Sequence, residues 1–391
     1  MKSLGLYLHI PFCKSRCAYC DFYSLSGRET SMDAYADALC VHLAQCAASG
    51  QTQLYSVDSV YFGGGTPSLF GEGRLLRVWD AVTRHYNVTP DAEITLEANP
   101  DSVGEWFRRL RDAGWNRASL GMQSADNSEL CAIGRIHTIE QVRAAVEQLR
   151  AAGFTNLSLD LMYGLPGQTA DSWRNSLRAA TAMQPEHLSA YGLKVEPGTP
   201  LYTRREAAGL PDEEQQADMY LSAVRELERN GYRQYELSNF ALSGRESRHN
   251  LKYWTLGEYL GFGPGAHSDF GGVRFAYPRD LERYIQGVCS GALEHSEWEA
   301  IPEAERARER IMLGLRTSAG VEEKLLPENC ASFLRQCQKA GYLRGETGRV
   351  SLTPEGFLVS NQIIGVLLEA FDRLEPCASK DFYGQDFIAG V

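Results

Sequence analysis

Cys13, Cys17 and Cys20 stand in "FCKSRCAYC" at the spacing C-x3-C-x2-C, directly after the apolar run "LGLYLHI". Three thiolates so close in one loop can hold a metal without a long loop-closure cost, and soft sulfur ligands select zinc or iron-sulfur clusters. A structural zinc site asks for a fourth protein ligand. His9 is near in sequence, but it lies in the strand before the loop, and no further Cys or His pair follows at finger-like spacing. A four-iron cluster normally takes four Cys. Supplying three leaves one iron with an open position, which a catalytic site needs and a structural site avoids. The spacing predicts such a cluster, with zinc and plain thiols as the alternatives.

A loop of this kind must be held by rigid elements. The first 195 residues alternate β-like runs (4–10, 56–62, 93–98, 117–123, 157–163 and 187–195) with amphipathic stretches, several ending in the Gly expected just past a helix. Serial strand-helix units predict an α/β fold, a partial (β/α)6 TIM-like barrel whose ligands collect at the C-terminal ends of the strands. "FGGGTPS", "LEANP", "GMQS" and "DLMYGLPGQT" follow strands two to five and would share the rim with the cysteine loop. Glu97, Gln123 and Asp160 end three successive strands there, where acceptors suit ribose hydroxyls. Gly63, Gly64 and Gly65 would expose backbone groups to a ligand with no side chain in the way.

The chain of 391 residues suggests roughly two to three domains. We expect a barrel over 1–240, a connecting segment over 241–300 containing "HNLKYW", and a winged-helix-like α+β domain over 301–391. A net charge of -11 without a Lys/Arg run argues against a nucleic-acid partner. No apolar run approaches membrane-spanning length and no signal-peptide pattern opens the chain, so the cytoplasm is the expected compartment. Ten cysteines without framework spacing argue against a secreted disulfide scaffold. Cys40, Cys46, Cys131, Cys289, Cys330, Cys337 and Cys377 read as ordinary buried or half-buried thiols.

The cysteine spacing, Tyr19 before the last Cys and the GGG after strand two resemble the radical S-adenosylmethionine superfamily. "YLHIPFC", "YFGGGTPS", "LDLMYGLPGQT" and "HLSAYGLKVEPGT" together resemble its oxygen-independent coproporphyrinogen oxidase group, and the likeness covers nearly the whole chain. It implies the barrel of that superfamily and a [4Fe-4S] cluster on Cys13, Cys17 and Cys20, with S-adenosylmethionine on the open iron. An electron from the reduced cluster would cleave the sulfonium to methionine and a 5′-deoxyadenosyl radical. It further implies that Tyr7, Gly64, Gly65, Thr66, Glu97, Gln123, Arg135, Asp160 and Lys194 hold S-adenosylmethionine. Arg135 would pair with the methionine carboxylate and Tyr7 would lie beside the sulfonium.

Two features depart from the oxidase: Phe22 stands where it has a further Cys, and no long arm precedes Cys13. These departures, with "CDFYS" and "HNLKYW", resemble the HemW family of heme chaperones, which lack the oxidase activity. That resemblance implies heme held by His249, Asn250, Tyr253 and Trp254, an apo-hemoprotein acceptor such as a respiratory cytochrome, and a flavodoxin- or ferredoxin-type electron donor. It leaves open monomer or dimer, and membrane association through a partner. Three readings follow: a heme chaperone able to cleave S-adenosylmethionine, a radical enzyme acting on a tetrapyrrole such as coproporphyrinogen III, and a binding protein with a structural cluster. The departures disfavour decarboxylation, and the intact rim set disfavours the third.

Overall fold

The computed structural model describes residues 1–374, so Cys377 and the end of the expected C-terminal domain lie outside the described residues. Six strands form the centre of the molecule: β1 (Lys2–Ile10), β2 (Tyr55–Gly64), β3 (Val88–Ala98), β4 (Arg117–Gln123), β5 (Leu157–Tyr163) and β6 (His187–Gly192). They pair in that order and all are parallel. Their alternation explains the curvature and the contents. On β1, Leu4, Leu6 and Leu8 are fully buried toward the helices, while Gly5, Tyr7 and His9 take the opposite face. The same register lines the concave side with Ser59 and Tyr61, Glu93 and Glu97, Arg117 and Ser119, Ser158 and Asp160, and His187 and Ser189. The lumen is therefore polar, unlike a barrel packed by aliphatic layers.

The crossovers are α1 (Met32–Ala48), α2 (Glu72–His85), α3 (Phe107–Ala113), α4 (Asn127–Ala132), α5 (Ile139–Ala151) and α6 (Ala170–Ala182). Thr138 and Thr169 build reciprocal capping boxes at the starts of α5 and α6. After β6 come α7 (Pro200–Thr203) and α8 (Glu213–Arg229), then a short hairpin, β7 (Arg233–Gln234) and β8 (Asn239–Ala241). β8 pairs antiparallel with β6 and ends the parallel array on that side. The result is an open, partial barrel of the expected class.

The stretch 241–300, expected as a connecting segment, is built into the sheet. It carries α9 (Arg248–Thr255), β9 (Tyr259–Phe262), β10 (His267–Phe270), β11 (Val273–Ala276), α10 (Leu281–Ser290) and β12 (Glu297–Ala300). β9 pairs parallel with β1, and β10 to β12 extend the sheet antiparallel beyond it. The C-terminal part packs α11 (Glu303–Gly314), α12 (Ala331–Lys339), α13 (Pro354–Leu358) and α14 (Ser360–Leu374) with a small antiparallel sheet. That sheet has the order β13 (Val321–Glu322), β15 (Arg349–Leu352), β14 (Leu343–Glu346), a winged-helix-like α+β arrangement. The cysteines among the described residues are free thiols; Cys131 and Cys289 are exposed rather than buried.

Candidate functional site

The cysteine loop leaves β1 at Ile10 and is clasped from three sides. Cys13 N–H donates to the Leu25 carbonyl at 2.8 Å, Ala18 N–H to Ile133 at 3.0 Å, and Leu201 N–H to Ala18 at 2.8 Å. Behind it, Gly65 and Thr66 donate their N–H groups to Ile10 and Phe12 at 2.9 and 2.8 Å. This close seating requires the glycines. A Cβ on Gly65 would lie 2.8 Å from the Phe12 carbonyl, and Gly64, at φ +117°, would drive one to 2.6 Å from the His9 ring. His9 itself is engaged on both ring nitrogens, by the Tyr7 hydroxyl at 3.0 Å and the Tyr23 carbonyl at 2.9 Å, and burial lowers its pKa to about 4.

Cys13, Cys17 and Cys20 are half-buried, and burial raises the pKa of Cys13 and Cys20. A metal must therefore displace protons from these thiols. Among the described residues no three His, Cys, Asp or Glu side chains converge on a single-ion site. Thiolates spread along one loop suit a cube of irons, each taking one sulfur, better than one zinc taking all.

From Cys13 a chain of hydrogen bonds runs around the rim. The Thr66 hydroxyl donates to the Cys13 sulfur at 3.5 Å, Asn99 Nδ2 to Thr66 Oγ1 at 3.1 Å, and Arg135 Nη1 to Asn99 Oδ1 at 2.9 Å. Arg135 Nη2 donates to the Tyr19 hydroxyl at 3.0 Å, which closes the chain on the cysteine loop. Burial opposes the Arg135 charge, but Tyr19 and the sulfurs of Cys17 and Cys20 outweigh it and keep the guanidinium ionised. Its Nε is buried without a partner among the described residues. Such an orphaned donor, beside glycine backbone and three thiols, fits a carboxylate ligand on a cluster.

Deeper in the lumen, Glu97 accepts from the Tyr61 hydroxyl at 2.8 Å and the Gly64 N–H at 3.1 Å, and burial raises its pKa to about 7. Asp160 accepts from Ser119, Ser158 and Ser189, with a pKa raised by burial. Gln123 ends β4 at φ +64°, next to a register shift. A buried non-glycine residue in that conformation is strained, and such strain collects at binding sites. Tyr7 stacks on Tyr61 with ring centroids 6.2 Å apart. Lys194 is not brought to this group: it is exposed and ion-paired with Glu196 at 2.6 Å.

The "HNLKYW" residues form α9, which lies inside the strand array below Tyr61. Glu93 on β3 accepts the N–H groups of Arg248 and His249, each at 3.0 Å, and so caps the helix from across the lumen. His249 is only 1% exposed. Its Nδ1 meets Ser59 Oγ at 3.0 Å and its Nε2 the Tyr253 hydroxyl at 2.9 Å, while its ring stacks on Tyr61 at 5.2 Å. Burial lowers its pKa to about 3. Trp254 is buried, its indole N–H without a partner among the described residues, and Asn250 is half-buried.

Asn99, Tyr61, Glu93 and Arg117 escaped the sequence reading. "LEANP" holds a signal for Asn99, a polar residue just past a rim strand; the other three are legible only as inward positions of the alternation.

A partial parallel barrel with a three-cysteine loop and a glycine cradle at its C-terminal rim defines a radical S-adenosylmethionine protein. The profile of the Radical SAM superfamily matches residues 7–180, and that of the HemN C-terminal domain matches residues 301–359. The superfamily implies a [4Fe-4S] cluster and S-adenosylmethionine. The chain belongs to the HemW family. It is 36% identical to the heme chaperone HemW of Bacillus subtilis (strain 168), over 94% of this chain and 99% of that protein. To heme chaperone HemW of Lactococcus lactis it is 33% identical, over 93% and 96%. Radical S-adenosyl methionine domain-containing protein 1, mitochondrial, of Bos taurus is 36% identical over 81% of this chain and 74% of its own. The coproporphyrinogen III oxidase of Escherichia coli shares the fold, with a TM-score of 0.80 at 23% identity over 95% and 91% of the two chains.

Proposed function

We propose that this protein is a heme chaperone that binds heme, carries a [4Fe-4S] cluster with S-adenosylmethionine, and hands heme to an apo-hemoprotein such as a respiratory cytochrome. The observation that carries this reading is 33–36% identity, over 93–94% of this chain, with proteins named heme chaperone HemW. Cys13, Cys17 and Cys20 hold the cluster. When bound, cluster and S-adenosylmethionine supply one-electron cleavage of the sulfonium.

The chain's own residues bind and orient. Arg135 offers its guanidinium to the methionine carboxylate, and Gly64 and Gly65 admit the amino group against backbone. Thr66 steadies both Cys13 and the ligand. Glu97, Gln123 and Asp160 receive the adenosine hydroxyls and amino group, and Tyr7 lies beside the sulfonium. Lys194 reaches the ligand only by leaving Glu196. His249, with Asn250, Tyr253 and Trp254, serves heme in a state where α9 has withdrawn, because both its ring nitrogens are otherwise engaged. The acceptor, a flavodoxin- or ferredoxin-type donor, a cytoplasmic site of action and a monomer or dimer complete the proposal. No helix among the described residues is long and apolar enough to cross a membrane.

Anaerobic reconstitution tests it. Reduced protein is expected to release 5′-deoxyadenosine, and Cys17→Ser to abolish both that release and the cluster absorbance. Ferric heme is expected to give a Soret band, and coproporphyrinogen III to be recovered with unchanged mass. Loss of its carboxyl groups, or no heme bound, would overturn the reading.

A further inference from the structure

The rim hydrogen bonds between Arg135 and Cys13 run in one direction, and the residue that sets the direction is Asn99, in "LEANP" just past β3. Pro100 holds Asn99 extended, at φ -95° and ψ 150°. Its carbonyl accepts from the Ser102 N–H at 3.0 Å and the Ser102 hydroxyl at 2.7 Å. With the backbone fixed, the half-buried side chain lies between Arg135 and Thr66. Gly121 on β4 makes the space for it: a Cβ there would lie 3.3 Å from both Asn99 Oδ1 and Arg135 Nη2.

A guanidinium carries donors and no acceptor, so the amide oxygen of Asn99 must face Arg135, and it lies 2.9 Å from Nη1. That turns the amide nitrogen toward Thr66, 3.1 Å from Oγ1. An amide nitrogen only donates, so the single proton of the Thr66 hydroxyl cannot go to Asn99. Cys13 Sγ, 3.5 Å from the hydroxyl, receives it. Thr66 is buried, so water competes little for that proton. Each bond dictates the next, from a cation at one end to a sulfur at the other.

We propose that Asn99 is a positioning residue of the S-adenosylmethionine site: it aims Arg135 at the ligand carboxylate and commits the Thr66 proton to the Cys13 sulfur, raising the reduction potential of the cluster. The inference rests on the cluster reading above and deepens it. A hydrogen bond to a cluster sulfur draws electron density from it and favours the one-electron-reduced state. That is the state from which the sulfonium is cleaved.

Midpoint potentials of the anaerobically reconstituted full chain, read by electron paramagnetic resonance, test it. Asn99→Asp keeps an acceptor for Arg135 but has no proton for Thr66, whose hydroxyl then donates to the carboxylate instead of the sulfur. It is expected to lower the midpoint by about 59 mV, a tenfold change in the reduced-to-oxidised ratio. Asn99→Ala, which frees the hydroxyl without adding charge, is expected to lower it less. Thr66→Val is expected to lower it as far as Asn99→Asp does, and Thr66→Ser, which keeps the hydroxyl, to retain the wild-type value. In the Thr66→Val background, Asn99→Asp is expected to add no further shift. Both Asn99 variants are expected to weaken S-adenosylmethionine binding by about tenfold in equilibrium dialysis. Unchanged midpoints or affinities in both Asn99 variants, or an Asn99→Asp shift that adds in full to that of Thr66→Val, would overturn the inference while the cluster reading stands. If wild type assembles no cluster, that reading itself fails.

Discussion

Glu97 shows what the barrel does to a single residue. Its carboxyl accepts from Tyr61 and Gly64, yet burial outweighs both and lifts its pKa from 4.5 to about 7. The sign follows from linkage: a carboxyl with a raised folded pKa contributes stability that is complete below pH 4.5 and lost as pH rises through 7. Glu97→Gln is therefore expected to match wild type near pH 5 and exceed it at pH 8. The lumen side of Glu97 is not fully closed, so the gain stays below about 3 kcal/mol. Urea unfolding of the metal-free protein at the two pH values checks this, and an equal gap at both would count against the raised pKa. Glu236, buried with a pKa of about 7, is expected to respond in the same direction. Among residues, the three cysteines were legible because ligand chemistry imposes a spacing. Asn99 and Tyr61 were not, because their partners are 33 and 36 positions away.

Helix α9 makes the same point at the scale of an element. Eight residues are too few to form a helix by propensity alone. Its start is held by the N-cap Ser247, whose hydroxyl accepts the Asn250 N–H, and by Glu93, which takes the first two N–H groups from a strand 155 and 156 residues earlier in the chain. Glu93 also lies opposite the buried Arg117 charge. Glu93→Ala removes the acceptor of two first-turn N–H groups and leaves that cation less compensated, with an expected cost of about 2–3 kcal/mol; Glu93→Gln, still an acceptor, is expected to cost less. Denaturation midpoints measure both, and equal midpoints for the two variants would show that Glu93 does not hold the start of α9. The six parallel strands were legible from their alternation. α9 was not, since eight residues hold too little of a period to read.

At the scale of the molecule, a buried ionic cluster joins the sheet to the C-terminal part. Arg306 is bidentate to Asp269 on β10 and also meets Glu309, which in turn pairs with Arg274 on β11. These side chains are 10–16% exposed, so the charges depend on each other rather than on water. Arg306→Ala strands the Asp269 charge with one partner. It is expected to lower stability by about 3 kcal/mol and to speed proteolysis between α10 and α11. An unchanged cleavage rate would mean that the cluster does not hold the two parts together. On the other side, Ser318 N–H donates to the Tyr235 carbonyl at 3.0 Å, so the C-terminal part also braces the β7–β8 hairpin.

By itself the sequence determined the metal loop, the glycine cradle and the order of strands, because each is written in short-range spacing that coordination chemistry or backbone period demands. Only the tertiary structure decided that the lumen is polar and that His249 is sealed in it with both nitrogens engaged. The same holds for the rim chain from Cys13 through Asn99 to Arg135. Contacts between positions so far apart leave no periodic trace in a single chain. They arise when strands that alternate correctly are curved together, so that every second side chain meets partners its neighbours in sequence never reach.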